Sequence, residues 1–173
     1  ATIGELTVDN CHIINGAVKA NTSQGLMIGA ASSDITFKNC SVSGTLEGTT
    51  NCFSGGFIGG KVSSNTTYIN CLSAVKITGN NQYAGGFQAY NGSGGKNLSF
   101  ENCIFVGEIN VISGAAGGIF GTKRNTGTVT MKNCASYGNI SAKGGAGGLI
   151  AGLEVWGSVT AQDCVVYGNV YSA

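Results

Sequence analysis

FKNCSVSG (37–44), FENCIFVG (100–107) and MKNCASYG (131–138) place an Asn-Cys pair in the same frame three times. Taken singly, each cysteine could be half a disulfide, a metal ligand or a reactive thiol. The spacing decides between them. Cysteines stand at 11, 40, 71, 103, 134 and 164, at intervals of 29, 31, 32, 31 and 30, with Cys52 outside the series. A second motif keeps the same beat: QGLMIG from Gln24, GGFIGG from Gly55, GGFQAY from Gly85, GGIFGT from Gly117 and GGLIAG from Gly147. A fixed period of this length marks a repeat architecture.

Aligning the copies on cysteine turns each column into an environment. Five residues before it stand Leu6, Ile35, Thr66, Leu98, Val129 and Val159, and three before it Val8, Phe37, Tyr68, Phe100, Met131 and Ala161. Between these mostly apolar columns lies Thr7, Thr36, Thr67, Ser99, Thr130 and Thr160, and after them Asp9, Lys38, Ile69, Glu101, Lys132 and Gln162. Period-two alternation is a half-buried strand. A second strand follows the cysteine and ends on Leu46, Ile77, Ile109, Ile140 and Val170, and the GG segment supplies a third. No stretch carries a helical period. The expectation is an all-β chain folded as a parallel β-helix of about six coils, roughly 30 residues and three short strands each. A β-propeller is the competing repeat fold, but its blades are longer and carry four strands.

The residue before each cysteine is Asn10, Asn39, Asn70, Asn102, Asn133 and then Asp163. An amide at a coil corner tolerates the left-handed backbone a sharp turn demands, and it can bond the same amide one coil away. This predicts an asparagine ladder. The adjoining Cys11, Cys40, Cys71, Cys103, Cys134 and Cys164 then form a buried stack of reduced thiols, because side chains in register run parallel and do not point at one another. Cys52, outside the stack, is expected to be a partly buried small residue. Metal binding lacks support: there is no CxxC, and His12 is the sole histidine. In the charged column Asp9 should face Lys38, and Glu101 should face Lys132, one coil away.

Composition narrows the function classes. The 173 residues suit one domain that can bury a core without disulfide staples. A net charge of +1 gives no footprint for nucleic acid, and no apolar run is long enough to span a membrane, so neither partner is expected. Both ends fall on coil strands with no polar cap. The reading is therefore one solenoid domain over 1–173, uncapped at both ends, an excerpt of a longer array or a stacking subunit.

The stretch GGIFGTKRNTGTVTMKNCASYGNISAKGGAGGLIAG (117–152) resembles the GLUG-motif repeats of bacterial surface and secreted proteins, including adhesins and the regions flanking IgA-specific peptidases. Weaker copies cover nearly the whole chain; QGLMIG lacks the first glycine and GGFQAY the last. The resemblance implies a right-handed β-helical stalk or adhesive array at the cell surface or outside the cell, with no catalytic residues in the repeats. It implies as partners other protein chains, through end-to-end or lateral assembly, or surface glycans.

A search for catalysis finds no partner set. The acids Glu5, Asp9, Asp34, Glu47, Glu101, Glu108, Glu154 and Asp163 include no D-x-D or D-D pair, and His12 has no triad partners. No enzyme activity, cofactor or metal is expected; a polysaccharide lyase or hydrolase is the weaker alternative. An ice-binding solenoid is weaker too, because the threonine rank is one column wide. The candidate ligand edge lies in the variable loops after the GG strand, at Tyr90, Asn91, Asn97, Lys123, Arg124 and Trp156, whose aromatic and amide groups could hold a sugar. N-x-S/T sequons begin at Asn21, Asn39, Asn65, Asn91, Asn97 and Asn139.

Overall fold

The computed structural model describes residues 4–60, 62–92, 94, 96–124, 126–153 and 157–172. Every paired strand in it is parallel, and the strands wind into a β-solenoid of about five turns. One sheet holds six strands in chain order: Leu6–Asp9, Ile35–Lys38, Thr66–Ile69, Leu98–Glu101, Thr128–Lys132 and Ser158–Gln162. Its register joins Thr7, Thr36, Thr67, Ser99, Thr130 and Thr160 in one unbroken column. Six rungs bound five full turns, so counting cysteines overstated the coils by one.

The alternation read from sequence sets the packing. In this first sheet Phe37, Tyr68, Phe100 and Met131 point inward and are buried, while the threonine column faces out. Phe37 stacks on Tyr68 with centroids 5.1 Å apart, and Tyr68 on Phe100 at 4.8 Å. Phe57 and Phe87, supplied by the GG motif, form a second stack at 5.2 Å. The two stacks meet edge to face, Phe57 against Tyr68 at 80°. Parallel spacing thus delivers both ring arrangements that aromatic quadrupoles favour.

The second sheet follows each cysteine corner. Its central strands, Ser41–Gly55 and Leu72–Gly85, are 15 and 14 residues long, more continuous than the short segments expected. In later coils the same path breaks into pieces such as Ile104–Phe105, Glu108–Val111 and Ala115–Gly117. The gap spans 106–107, where Gly107 stands opposite Val75 and an added Cβ would collide with the Val75 carbonyl. The inward column Leu46, Ile77, Ile109 and Ile140 is in register and buried. A third sheet consists of Gln88–Asn91, Phe120–Lys123 and Ile150–Leu153, continued backwards by bridges from Gln88 to Ile58 and Ile28. The glycines Gly55, Gly85, Gly117 and Gly147 align at the corner between the second and third sheets. Among the described residues no helix is long and apolar enough to cross a membrane.

Candidate functional site

The Asn-Cys corner is built as the repeat requires. Asn10, Asn39, Asn70, Asn102, Asn133 and Asp163 all have φ between 51° and 54°. That left-handed region is costly for most side chains and least so for glycine, asparagine and aspartate. Their amides face solvent and bond along the axis: Asn70 Nδ2 donates to Asn39 Oδ1 at 3.2 Å, Asn102 to Asn70 at 2.9 Å and Asn133 to Asn102 at 3.2 Å. Every donor points to the preceding coil. The ladder therefore starts on a carboxylate, with Asn39 Nδ2 donating to Asp9 Oδ1 at 2.9 Å.

This bond corrects the expected charge pairs. Asp9 stands in register with Lys38, and Glu101 with Lys132, but the Asp9 carboxylate serves the amide ladder. The ion pairs in the described structure lie on the second sheet, Lys19 with Glu47 at 2.7 Å and Lys76 with Glu108 at 3.0 Å.

A second ladder runs six residues ahead of the cysteines, where the sequence had suggested part of a ligand edge. Asp34 accepts from both the backbone N–H and Nδ2 of Asn65, at 2.9 and 2.8 Å. Asn65 Oδ1 then accepts from Asn97 N–H, and Asn97 Oδ1 from Thr128 N–H and Oγ1. The Asn65 side-chain and backbone donors hold the Asp34 carboxyl below its ordinary range, with a smaller contribution from Lys96. Asn97 is thus a structural link. The signal was present in the column Asp34, Asn65, Asn97, Thr128, with the same period as the cysteines.

The cysteines next to the first ladder point inward. Cys40, Cys71, Cys103 and Cys134 are buried, Cys164 is half-buried and Cys11 is exposed, and none is in a disulfide. Each buried thiol faces a carbonyl of the preceding coil, as Cys103 Sγ does Tyr68 O at 3.6 Å. Cys52 departs from expectation: it is fully buried and donates to Ala20 O at 3.0 Å, because the long Ser41–Gly55 strand carries it inside.

The proposed ligand edge is not one surface. Tyr90 is buried under Phe53 and Tyr83, with centroids 5.0 and 5.3 Å away, and Asn91 is buried beside it in the third sheet. Lys123 is also fully buried; its ammonium donates to Gly127 O, and burial lowers its pKa. The physical reason is shared: all four residues of both Gln88–Asn91 and Phe120–Lys123 are covered. Arg124 remains exposed, and Trp156 lies outside the described residues. Among the sequons, Asn91 is buried, and Asn39 and Asn65 spend Nδ2 on ladder bonds.

What the structure does offer is a groove along the corner between the second and third sheets. Tyr83 shares its column with Ala115 and Gly145, and Tyr90 shares its own with Thr122 and Gly152. Large rings give way to small residues, leaving a depression lined by Gln82, Tyr83, Ala115, Thr122, Gly152 and Leu153. Among the described residues no group of three or more His, Cys, Asp or Glu side chains converges as a metal site.

Compared with family models, curated proteins and solved structures, the chain matches none. The groove and the ladders therefore stand on their own geometry.

Proposed function

We propose that this solenoid is a structural and adhesive segment of a secreted or cell-surface protein, of the GLUG-repeat kind, serving as a stalk or interaction surface. The observation that carries the reading is the continuity of its columns. A threonine rank, an amide ladder, an aromatic stack and a thiol stack follow the same axis through successive coils. Such a quasi-one-dimensional body transmits load along its length and presents extended lateral faces. Several acidic side chains serve that architecture: Asp9 and Asp34 head ladders, and Glu47 and Glu108 bridge coils to lysines. Antibodies raised against the segment should label intact cells of the source organism, and cells displaying it should gain adhesion to surfaces. Labelling that appears only after lysis would remove the reading.

One observation favours a more specific second reading, glycan binding. The corner groove ends against Tyr83, a half-buried ring next to small residues that leave space along its column. A ring face bordered by the exposed Gln82 amide supplies an apolar platform and a hydrogen-bonding group of the kind a sugar needs. Glycan-array signal that disappears in Tyr83→Ala and survives in Tyr137→Ala, an exposed tyrosine on another face, would support this reading. Equal signal in both variants would end it.

A further inference from the structure

The cysteine corner of the first coil departs from the pattern of the others. Asn39, Asn70 and Asn102 each accept on Oδ1 from the asparagine of the following coil, but Asn39 Nδ2 donates to Asp9 instead of to Asn10. Asn10 Oδ1 is thereby left to a different donor, His12 Nε2 at 3.2 Å. The other ring nitrogen of His12, Nδ1, lies 2.8 Å from Ser41 Oγ in the next coil. A carboxamide oxygen only accepts, so the ring proton sits on Nε2 and the Nδ1 lone pair accepts from the Ser41 hydroxyl. In the sequence His12 has no partners. The register supplies both, because His12 and Ser41 are opposed residues of adjacent strands. The rung is pinned at this point by Ser41 N–H, which donates to Cys11 O at 3.1 Å.

We propose that Ser41, His12 and Asn10 act as nucleophile, general base and positioning group in the cleavage of carboxylic esters with short aliphatic acyl chains. The order of roles is that of a serine-hydrolase relay with an amide in third place. His12 is exposed and Ser41 half-buried, so a substrate can reach both. The acyl preference comes from the column itself. Beyond Ser41 it continues with Leu72 and Ile104, each 39% exposed, at successive steps of about 4.8 Å. An aliphatic chain esterified to Ser41 can lie along these two side chains and cover them. A sugar or a peptide would find no hydrogen-bonding group in either.

The steps balance without a redox partner. Ser41 Oγ bonds to the ester carbonyl carbon while His12 Nδ1 takes its proton. Collapse of the tetrahedral species breaks the ester C–O bond, and the alcohol leaves with the proton held by His12. Water, deprotonated by the same nitrogen, then attacks the acyl-Ser41 carbonyl, which releases the carboxylic acid and returns a proton to Oγ. Asn10 holds the ring throughout by accepting from Nε2–H. General-base assistance is worth about 10²–10⁴-fold, so activated esters are the substrates on which the relay is read.

The test follows hydrolysis of p-nitrophenyl acetate and hexanoate by the 173-residue chain, with mass spectrometry of the acyl adduct and circular dichroism of every variant. The parent should carry the acyl group on Ser41, and its rate should fall about 10²-fold or more in Ser41→Ala and in His12→Ala. Ser43→Ala, which alters a serine of the same strand that donates to Ile13 O, should keep the parent rate. Asn10→Gly keeps the corner backbone and should lower kcat without raising KM. Asn10→Asp should restore kcat, because aspartate keeps an acceptor oxygen and holds the same corner at Asp163. Leu72→Ser should raise KM for the hexanoate more than for the acetate. If His12→Ala fails to fold, His12→Gln decides, with the same loss. A parental rate in the Ser41 or His12 variants would overturn the proposal. So would an adduct on Cys11, the exposed thiol next to His12, in place of Ser41, or an unchanged hexanoate-to-acetate ratio in Leu72→Ser.

Discussion

At the residue scale the asparagine corner does two jobs that only a few side chains combine. Asn102 holds φ of 53°, donates to Asn70 and accepts from Asn133. A left-handed alanine costs about 1–2 kcal/mol, and each lost hydrogen bond about 1 kcal/mol at most on an exposed face. Asn102→Ala should therefore lose roughly 2 kcal/mol. Asn102→Gly, which keeps the backbone freedom, should lose about 1 kcal/mol less than the alanine variant. Urea midpoints at constant slope measure both, and an alanine variant as stable as the parent would remove the corner argument. Asp34 supplies the pH counterpart. Its carboxyl is lowered in the fold, chiefly by the Asn65 side chain. Its contribution is therefore complete above an unfolded carboxyl's ordinary value near pH ~4, and it disappears as pH falls through the lower folded value. Tm should fall less steeply from pH ~5 to ~2 in Asp34→Asn than in the parent; parallel curves would count against the second ladder. The first ladder was legible because asparagine and cysteine adjoin in the sequence. The second shares its period, but its Asp, Asn and Thr members look like ordinary loop residues until the register aligns them.

At the scale of the element, inward and outward columns behave oppositely although they are neighbours in sequence. Phe100 is 1% exposed, stacks on Tyr68 and meets Phe87 edge-on at 74°. Phe100→Ala removes a ring shared by both aromatic stacks and should cost about 3–5 kcal/mol. Thr130, next to the buried Met131 and facing solvent, should tolerate alanine within about 0.5 kcal/mol. Calorimetry on the two variants compares them directly, and similar losses would mean that the strand does not alternate as described. Period-two alternation made these faces readable from the sequence alone. The third sheet was misread for the complementary reason: Gln88–Asn91 and Phe120–Lys123 are covered on both sides, so their polar residues imitate an exposed edge. Tyr90 and Lys123 looked like ligand groups because a strand buried on two faces loses the polar alternation that would identify its inside. Their partners, Phe53 and Tyr83 for the ring and Gly127 O for the ammonium, come from other parts of the coil path.

At the scale of the whole molecule the solenoid has a gradient of protection that its own thiols can report. The outer rungs are the most open: Leu6 is 45% exposed and Val159 36%, whereas Leu98, in the same column, is fully buried. The cysteines follow suit, exposed at Cys11, half-buried at Cys164, and buried at Cys40, Cys52, Cys71, Cys103 and Cys134. A repeat body bound by nearest-neighbour contacts opens from its less protected coils before its middle. A bulky thiol reagent should therefore modify Cys11 first and Cys164 more slowly. The other five should react only at the rate of coil opening, and together once denaturant unfolds the chain. Peptide mapping of a labelling time course separates the classes. The position of Cys52 makes the experiment discriminating, because its place outside the repeat predicts only a partly buried residue while the fold buries it completely. Early labelling at Cys52 would show that the long Ser41–Gly55 strand is not held as described, and early labelling at Cys71 or Cys103 would turn the thiol column out to water.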